Sequence, residues 1–216
     1  MTRYNYTGNR DRFLPYVRFS GLSLILLLFC AACARQPNLS PLPRGATILA
    51  FGNSLTYGTG VVKQYSYPAV LESLTGHKVV SSGVPGEISA DGLVRLKQVI
   101  SDVKPTLVVL CHGGNDVLRR IPASRTESNL RSMIGVVRRA GAQVVLVAVP
   151  RFGLFPSAWD YYERLADDLK VPVEFDVISD LETDAAMKSD RIHFNRQGYR
   201  SMAEAVFSLL KDSGAL

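Results

Sequence analysis

The segment Thr47-Ile-Leu-Ala-Phe51, followed at once by Gly52-Asn53-Ser54-Leu55-Thr56, decides the fold that we predict. Its first five residues carry no charge and do not alternate with polar residues, which predicts a short strand buried on both faces. Gly52 ends this run, and the polar residues after it are typical of a turn from a strand into a helix. We therefore interpret 47–56 as the first strand and turn of a parallel α/β domain.

The rest of the chain repeats this alternation of apolar runs and helical segments. We predict strands at 47–51, 78–82, 106–111, 143–149 and 172–175. Apolar residues at helical spacing predict helices at 66–75, 89–103, 124–140, 157–170 and after Asn195. Ser124 and Glu127 have the spacing of a capping box at the start of the third of these helices. Helices that connect buried parallel strands are right-handed crossovers, so the pattern predicts a single three-layer α/β/α domain with a five-stranded parallel sheet.

Composition excludes several classes of protein. The 216 residues are 47% hydrophobic, which suits one domain with a real core and excludes a disordered or collagen-like chain. Three cysteines are too few for a disulfide framework or a four-thiolate zinc site. Half of the net charge of +6 lies in residues 1–32, so the remainder is nearly balanced. We therefore expect no nucleic-acid partner.

The N-terminal segment has the pattern of a secretory signal. A cationic lead precedes residues 21–32 (GLSLILLLFCAA), which carry no charge and are too few to span a bilayer comfortably. The segment ends in Cys30-Ala31-Ala32-Cys33, and small residues before a cysteine resemble the bacterial lipobox. That resemblance implies a signal peptide at 1–32 and lipidation of Cys33. A plain signal peptide and an uncleaved anchor helix remain alternatives.

A proline-rich segment follows the candidate anchor. Pro37, Pro41 and Pro43 predict a stiff tether, so we divide the chain into a signal peptide (1–32), an anchor cysteine with its tether (33–45) and one folded domain (46–216). This organisation predicts a membrane lipoprotein facing the periplasm, or a secreted or periplasmic protein if Cys33 is not lipidated.

Polar clusters follow four of the predicted strands, three of them directly and the fourth near the C-terminus, after the fifth strand. Because ligands of open parallel sheets bind outside the carboxyl ends of the strands, these clusters should meet along one edge. They are Gly52-Asn53-Ser54-Leu55-Thr56, Gly83-Val84-Pro85-Gly86-Glu87, His112-Gly113-Gly114-Asn115-Asp116 and Asp190-Arg191-Ile192-His193-Phe194.

These clusters contain the groups that acyl transfer requires. Ser54 is a hydroxyl nucleophile at a strand-to-helix turn, and His193 is the candidate base, with Asp190 three residues upstream to orient its ring. Gly86 allows close approach to a backbone N–H, and Asn115 offers a neutral amide donor to a developing oxyanion.

The four clusters together resemble the four sequence blocks of the SGNH (GDSL) hydrolase family, in order and spacing, from about Thr47 to Leu210. The resemblance is to the thioesterase I/lysophospholipase and arylesterase group, and it implies a flavodoxin-like sheet. It also implies a catalytic triad of Ser54, Asp190 and His193, and an oxyanion hole of Ser54, Gly86 and Asn115. The sequence departs from the family pattern at Asn53, where the family usually has Asp.

Other residues near the clusters have interpretations that need no catalysis. We expect His112 to be a packed histidine, His77 to be solvated, Cys111 to lie in the core and Asp116 to fasten the turn behind the oxyanion hole. Four apolar residues either wall an acyl pocket or pack a helix against the sheet; they are Leu118, Phe152, Phe155 and Trp159.

The predicted activity is that of a serine esterase, with no metal or organic cofactor, acting on a small-molecule ester or thioester. Two alternatives are a carbohydrate O-deacetylase and a non-catalytic envelope-binding lipoprotein. The sequence does not determine the oligomeric state, for which a monomer is the default expectation.

Overall fold

The structure, a computed structural model, describes residues 39–151 and 157–216. Its strands are β1 (Thr47–Gly52), β2 (Lys78–Gly83), β3 (Leu107–Cys111), β4 (Gln143–Val147), β5 (Pro150–Arg151), β6 (Ser157–Ala158) and β7 (Val173–Glu174). Five of them form a parallel sheet in the order β2-β1-β3-β4-β7, and β5 and β6 form a separate antiparallel pair. The predicted five-stranded parallel sheet is therefore confirmed.

The helices that connect the strands are α1 (Ser54–Tyr57), α2 (Tyr67–Thr75), α3 (Ser89–Val103), α4 (Gly114–Leu118), α5 (Ala123–Arg139), α6 (Asp160–Leu169), α7 (Val177–Thr183) and α8 (Arg196–Asp212). Short 3₁₀ turns lie at Lys63–Tyr65 and Ala185–Met187. Helix α2 packs on α8, and α3 packs on α5. Because the strand order reverses at β1, right-handed crossovers place these two pairs on opposite faces of the sheet.

Burial along the strands follows their place in the sheet. Every residue of β3, the central strand, is buried, whereas β2 is partly exposed because it is an edge strand. Apolar side chains of the helices complete the core on both faces, and Leu71, Leu96, Met133 and Met202 are all fully buried. A continuous apolar core of this kind holds the strand ends, and the loops that follow them, in fixed positions.

Some element boundaries differ from the prediction. Strand β4 ends at Val147 rather than at 149. Helix α5 begins at Ala123 with Pro122 as its N-cap, so Ser124 lies inside the helix and the expected capping box is wrong. A proline needs no N–H partner at a helix start, which explains the earlier beginning. Glu127 instead pairs with Arg164 of α6 at 2.6 Å.

The segment before β1 differs from the expected tether. The backbone N–H groups of Leu39 and Leu42 donate to the carbonyls of Ser213 and Ala215, at 2.7 and 2.8 Å. The Gln143 side chain also exchanges two hydrogen bonds with the Ser40 backbone. The folded unit therefore includes Leu39–Leu42.

The predicted signal peptide (1–32), Cys33, Phe152 and Phe155 lie outside the described residues. Among the helices that the structure describes, none is both long and apolar enough to span a membrane.

Candidate active site

Ser54 lies at the carboxyl end of β1, as the first residue of α1. The side chain of Asn53 caps this short helix, since its Oδ1 accepts a hydrogen bond from the N–H of Leu55 at 3.3 Å. A Cβ at Gly52 would lie 2.2 Å from the carbonyl oxygen of Cys111, so only glycine allows β1 and β3 to approach this closely before the turn. These contacts fix the backbone from which the Ser54 hydroxyl projects.

The Ser54 hydroxyl contacts the His193 ring, and the ring contacts Asp190. His193 Nε2 is 3.0 Å from Ser54 Oγ, and His193 Nδ1 is 2.8 Å from Asp190 Oδ2. The other carboxylate oxygen of Asp190 accepts the N–H groups of Ile192 and His193, each at 2.8 Å. The structure thus brings together the three residues that the sequence predicted to form a triad.

The electrostatics of Asp190 determine which nitrogen of His193 carries the proton. The backbone N–H of His193, followed by that of Ile192 and the imidazole itself, lowers the pKa of Asp190 from 3.8 to about 2. The carboxylate is therefore ionised at neutral pH and can only accept at Nδ1. With the proton on Nδ1, the lone pair of Nε2 faces Ser54, which is the arrangement a general base needs.

The loop that carries Asp190 and His193 is closed by its own backbone. The N–H of Ser189 donates to the His193 carbonyl at 2.9 Å, and Lys188 and Phe194 form an isolated bridge. Asn195 anchors the loop to α8, because its side chain accepts from two N–H groups of the first turn of that helix and donates to Ala186. Asn195 is thus the N-cap of α8, and the helix predicted after this residue is confirmed.

The two further oxyanion donors expected from the sequence lie on neighbouring segments. Gly86 has φ +78° in the turn from Val84 to Glu87, which glycine adopts without strain. The amide nitrogen of Asn115, on α4, donates to the Glu87 carbonyl at 2.9 Å. This bond uses one of the two N–H groups of that amide and leaves the second to donate elsewhere.

A buried network holds α4 against the start of α3. The carboxylate of Asp116 accepts from the backbone N–H and the hydroxyl of Ser89, and from the hydroxyl of Thr126 at 3.3 Å. Asp116 is 1% exposed and faces these partners, as expected for a residue that fastens the turn.

A second network, which the sequence did not predict, surrounds His112. His112 is buried, and its Nε2 is 3.1 Å from a carboxylate oxygen of Glu87. Arg95 donates two hydrogen bonds to the same carboxylate, at 2.7 and 2.6 Å. Burial raises the pKa of Glu87, but the bonds from Arg95 and His112 outweigh this and lower it from 4.5 to about 2. Only the fold brings these residues together, so no local spacing could have indicated the network.

A small open cleft, with a cavity volume of about 30 Å³, begins at Ser54 and Asn115. Its apolar lining comes from several elements: Leu55, Leu118, Val149, Ile178 and Ile192. Leu118 and Ile192 are 48% and 38% exposed, so an apolar ligand would cover both. Leu118 was expected here, whereas no pattern in the sequence indicated Ile178, which reaches the cleft from α7.

The other candidate residues make contacts that need no catalytic role. Trp159 stacks on Tyr161 at 5.9 Å and lies under the Arg151 guanidinium, and among the described residues it is not part of the cleft lining. These contacts match the helix-packing interpretation of Trp159. Cys111 is a buried free thiol, and burial raises its pKa to about 12. His77 was expected to be solvated, but it is half-buried before β2 and its Nδ1 is buried, at the other end of the strands from Ser54.

Comparisons with known proteins agree with this geometry. Residues 50–201 match the model of the GDSL-like Lipase/Acylhydrolase family. The chain is 32% identical over 160 residues to an arylesterase of Vibrio mimicus, covering 69% of this chain and 76% of that protein. It is 28% identical over 191 residues to thioesterase 1/protease 1/lysophospholipase L1 of Escherichia coli, covering 85% and 86%. The crystal structure of TesA superimposes with a TM-score of 0.69 at 27% identity, over 76% of this chain and 98% of TesA.

Proposed function

Since this chain belongs to the GDSL-like lipase/acylhydrolase family and is an ester-cleaving serine hydrolase, we propose that it cleaves carboxylic esters, and also thioesters, of small to medium acyl groups through an acyl-enzyme on Ser54. The observation that carries the proposal is the 3.0 Å contact between Ser54 Oγ and His193 Nε2, which joins residues 139 positions apart. A hydroxyl and an imidazole so far apart in the sequence have no structural need to meet in this way.

The reaction begins when His193 Nε2 takes the proton of Ser54 and the hydroxyl oxygen attacks the acyl carbonyl. Asp190 holds the ring and stabilises the imidazolium that forms. When the tetrahedral adduct collapses, His193 gives the proton to the leaving oxygen or sulfur. Water then attacks the acyl-enzyme and loses a proton to His193, which returns it to Ser54 as the acid leaves.

Three N–H donors would stabilise the tetrahedral oxyanion: the backbone groups of Ser54 and Gly86 and the side chain of Asn115. The Asn115 amide is held in place by the Glu87 carbonyl at 2.9 Å, so it needs no reorganisation during the reaction. Donors fixed before the charge develops contribute more to the rate than donors that must turn toward it.

The cleft beside Ser54 is the proposed acyl site. Its walls are mostly apolar, and a bound chain would cover the exposed parts of Leu118 and Ile192. Burial of each methylene stabilises the complex by about 0.8 kcal/mol. Phe152 and Phe155 remain candidates for the outer wall of the cleft.

The proposal is tested with Ser54→Ala and with the exposed serine variant Ser73→Ala as control. We expect kcat on p-nitrophenyl acetate to fall on the order of 10⁶-fold for Ser54→Ala and to be unchanged for Ser73→Ala. A fluorophosphonate probe should label the parent chain and the control but not Ser54→Ala. Equal turnover by Ser54→Ala would remove Ser54 from the mechanism.

A series of acyl lengths on matched oxygen esters and thioesters tests the substrate class. We expect kcat/KM to rise with chain length up to the length that fills the cleft and to fall beyond it. Activity on acetylated glycan, with none on longer acyl chains, would instead identify a carbohydrate O-deacetylase. A chain inert toward both the esters and the probe would indicate a non-catalytic envelope-binding protein.

We also propose that Cys33 carries a lipid and holds the enzyme at a membrane of the cell envelope. The small residues before Cys33 and the short apolar stretch ahead of it support this proposal. In cells, the full chain should incorporate labelled fatty acid and sediment with membranes, and Cys33→Ser should do neither. Full labelling of Cys33→Ser would contradict the proposal.

A further inference from the structure

Glu87 connects the two segments that carry the proposed oxyanion donors. Its backbone N–H closes the turn that contains Gly86 by donating to the Val84 carbonyl at 3.2 Å. Its backbone carbonyl accepts the side-chain amide of Asn115. A displacement of this one residue would therefore move both donors relative to Ser54.

The Glu87 carboxylate is fixed to the ends of three strands. Arg95 binds it through two nitrogens and also donates to the carbonyl of Gly52, the last residue of β1, at 3.2 Å. The same guanidinium donates to the hydroxyl of Ser82, in β2, at 2.6 Å. His112, directly after β3, provides the third attachment. The Glu87 side chain is only 7% exposed, so these bonds act where water competes little.

The hydrogen bonds of His112 determine its tautomer. His112 Nδ1 accepts the N–H of Gly113 at 3.1 Å, so the ring proton lies on Nε2 and is donated to Glu87. Gly113 is the N-cap of α4, the helix that carries Asn115. His112 therefore joins the start of the Asn115 helix to the Glu87 carboxylate, in parallel with the direct bond from Asn115 to the Glu87 carbonyl.

Helix α3 leaves space for this ring. A Cβ at Gly92 would lie 2.4 Å from His112 Nε2 and 3.0 and 3.1 Å from the two ring carbons next to it. Gly92 has no positive φ and lies inside α3, so its backbone does not require glycine. The close approach of the imidazole is the feature that requires it.

We propose that His112 is a positioning residue for catalysis: through Glu87 and Gly113 it sets the distance between the Gly86 and Asn115 donors of the oxyanion hole. The inference rests on the proposed function. His112 touches neither Ser54 nor His193 in the described contacts, so it acts only through the donor segments.

The test compares His112→Leu, which removes the Nε2 donor, with His112→Gln, which retains a donor of similar reach. Glu87 keeps both bonds to Arg95 in either variant, so no buried charge is left unpaired. We expect kcat to fall roughly 10- to 100-fold in His112→Leu with little change in KM, because small displacements of oxyanion donors are costly. His112→Gln should recover part of this loss.

The affinity for an alkyl boronic acid, which binds the serine as a tetrahedral adduct, separates positioning from stability. A loss of stability alone does not change this affinity. His112→Leu should weaken boronate binding in proportion to kcat and leave the affinity for the product carboxylate unchanged. Val137→Ala, a buried change at the opposite end of the sheet, is the control for lost stability and should change neither affinity. Unchanged boronate affinity in a folded His112→Leu would overturn the inference.

Gly92→Ala is a second variant that does not depend on the folding of His112→Leu. Alanine favours a helix more than glycine does, but its methyl group must displace the His112 ring. It should lower kcat and boronate affinity together, and wild-type values for both would contradict the inference. If Ser54→Ala is inactive while His112→Leu and Gly92→Ala are normal, only this inference fails and the proposed function stands.

Discussion

Asp190→Asn should inactivate the enzyme more severely than Asp190→Ala, although it is the smaller change. The reason lies in the two different environments of the carboxylate oxygens. Oδ1 accepts two backbone N–H groups, from Ile192 and His193, and Oδ2 faces His193 Nδ1. An asparagine must place its oxygen toward the two N–H donors, because the opposite orientation would lose both bonds.

The cost of losing two such bonds is about 1–3 kcal/mol, which favours the first orientation by roughly 10- to 100-fold. The NH₂ group of the introduced asparagine then faces His193 and can only donate to Nδ1. The ring proton moves to Nε2, where it points at Ser54 Oγ, and the base cannot accept a proton. A wrong tautomer of this kind lowers kcat by about 10⁴-fold in the serine protease triad.

Asp190→Ala leaves His193 Nδ1 open to water, because the Asp190 side chain is 52% exposed. Both tautomers are then accessible, and we expect kcat to fall by about 10²–10³-fold. The assay is hydrolysis of p-nitrophenyl acetate by both variants at pH 8, with folding checked by circular dichroism. Greater activity in Asp190→Asn than in Asp190→Ala, or a loss under 10-fold in Asp190→Asn, would refute the tautomer argument.

Three further predictions concern the oxyanion hole, the buried carboxylate and the cleft. Asn115→Ala should lower kcat by about 10²–10³-fold with little effect on KM in steady-state kinetics, and a change confined to KM would count against an oxyanion donor. Glu87→Gln should be less stable than the parent at pH 7, because folding lowers the pKa of Glu87 from 4.5 to about 2. This shift corresponds to at most about 3 kcal/mol of unfolding free energy, and to about 1–2 kcal/mol after solvent screening. A carboxylate with a lowered pKa stabilises the fold above pH 4.5 and loses this effect as the pH falls toward 2. The unfolding free energies of the parent and the variant, measured with urea, should therefore become equal near pH 2. A difference between them that does not change with pH would contradict the pairing. Leu118→Ala and Ile192→Ala should each lower kcat/KM for medium-chain esters about 3- to 10-fold, but kcat/KM for acetate esters should not change. An equal loss on acetate esters would place these residues outside the acyl site.

The sequence was sufficient to predict the sheet and the meeting of Ser54, Asp190 and His193, because the signals for both are patterns that are local along the chain. Uninterrupted apolar runs such as Thr47–Phe51 indicate buried strands, and parallel strands bring their carboxyl ends to one edge. Ser54 directly follows such a strand, whereas His193 lies between a 3₁₀ turn and α8 and was placed beside Ser54 from its residue type and the family resemblance. The distance of 3.0 Å between their atoms comes only from the structure.

The network around Glu87 could not be predicted, because the sequence alone does not show whether a charged side chain is paired inside the fold or exposed to solvent. Glu87 and Arg95 have the appearance of surface charges, and His112 has the appearance of a strand-end residue. Their pairing depends on where α3 lies against β3, and that position is set by core packing. Ile178 is a similar case, because α7 brings it to the cleft from a segment with no motif.

The backbone pairing of Leu39 with Ser213 and of Leu42 with Ala215 has a practical meaning for handling the enzyme. Ser40 also binds Gln143, the first residue of β4, so both ends of the folded unit sit at the amino edge of the sheet. Ser54 lies beyond the carboxyl edge. A resin or a fusion partner attached at either end of the folded unit would therefore be remote from the Ser54 hydroxyl and should leave turnover intact.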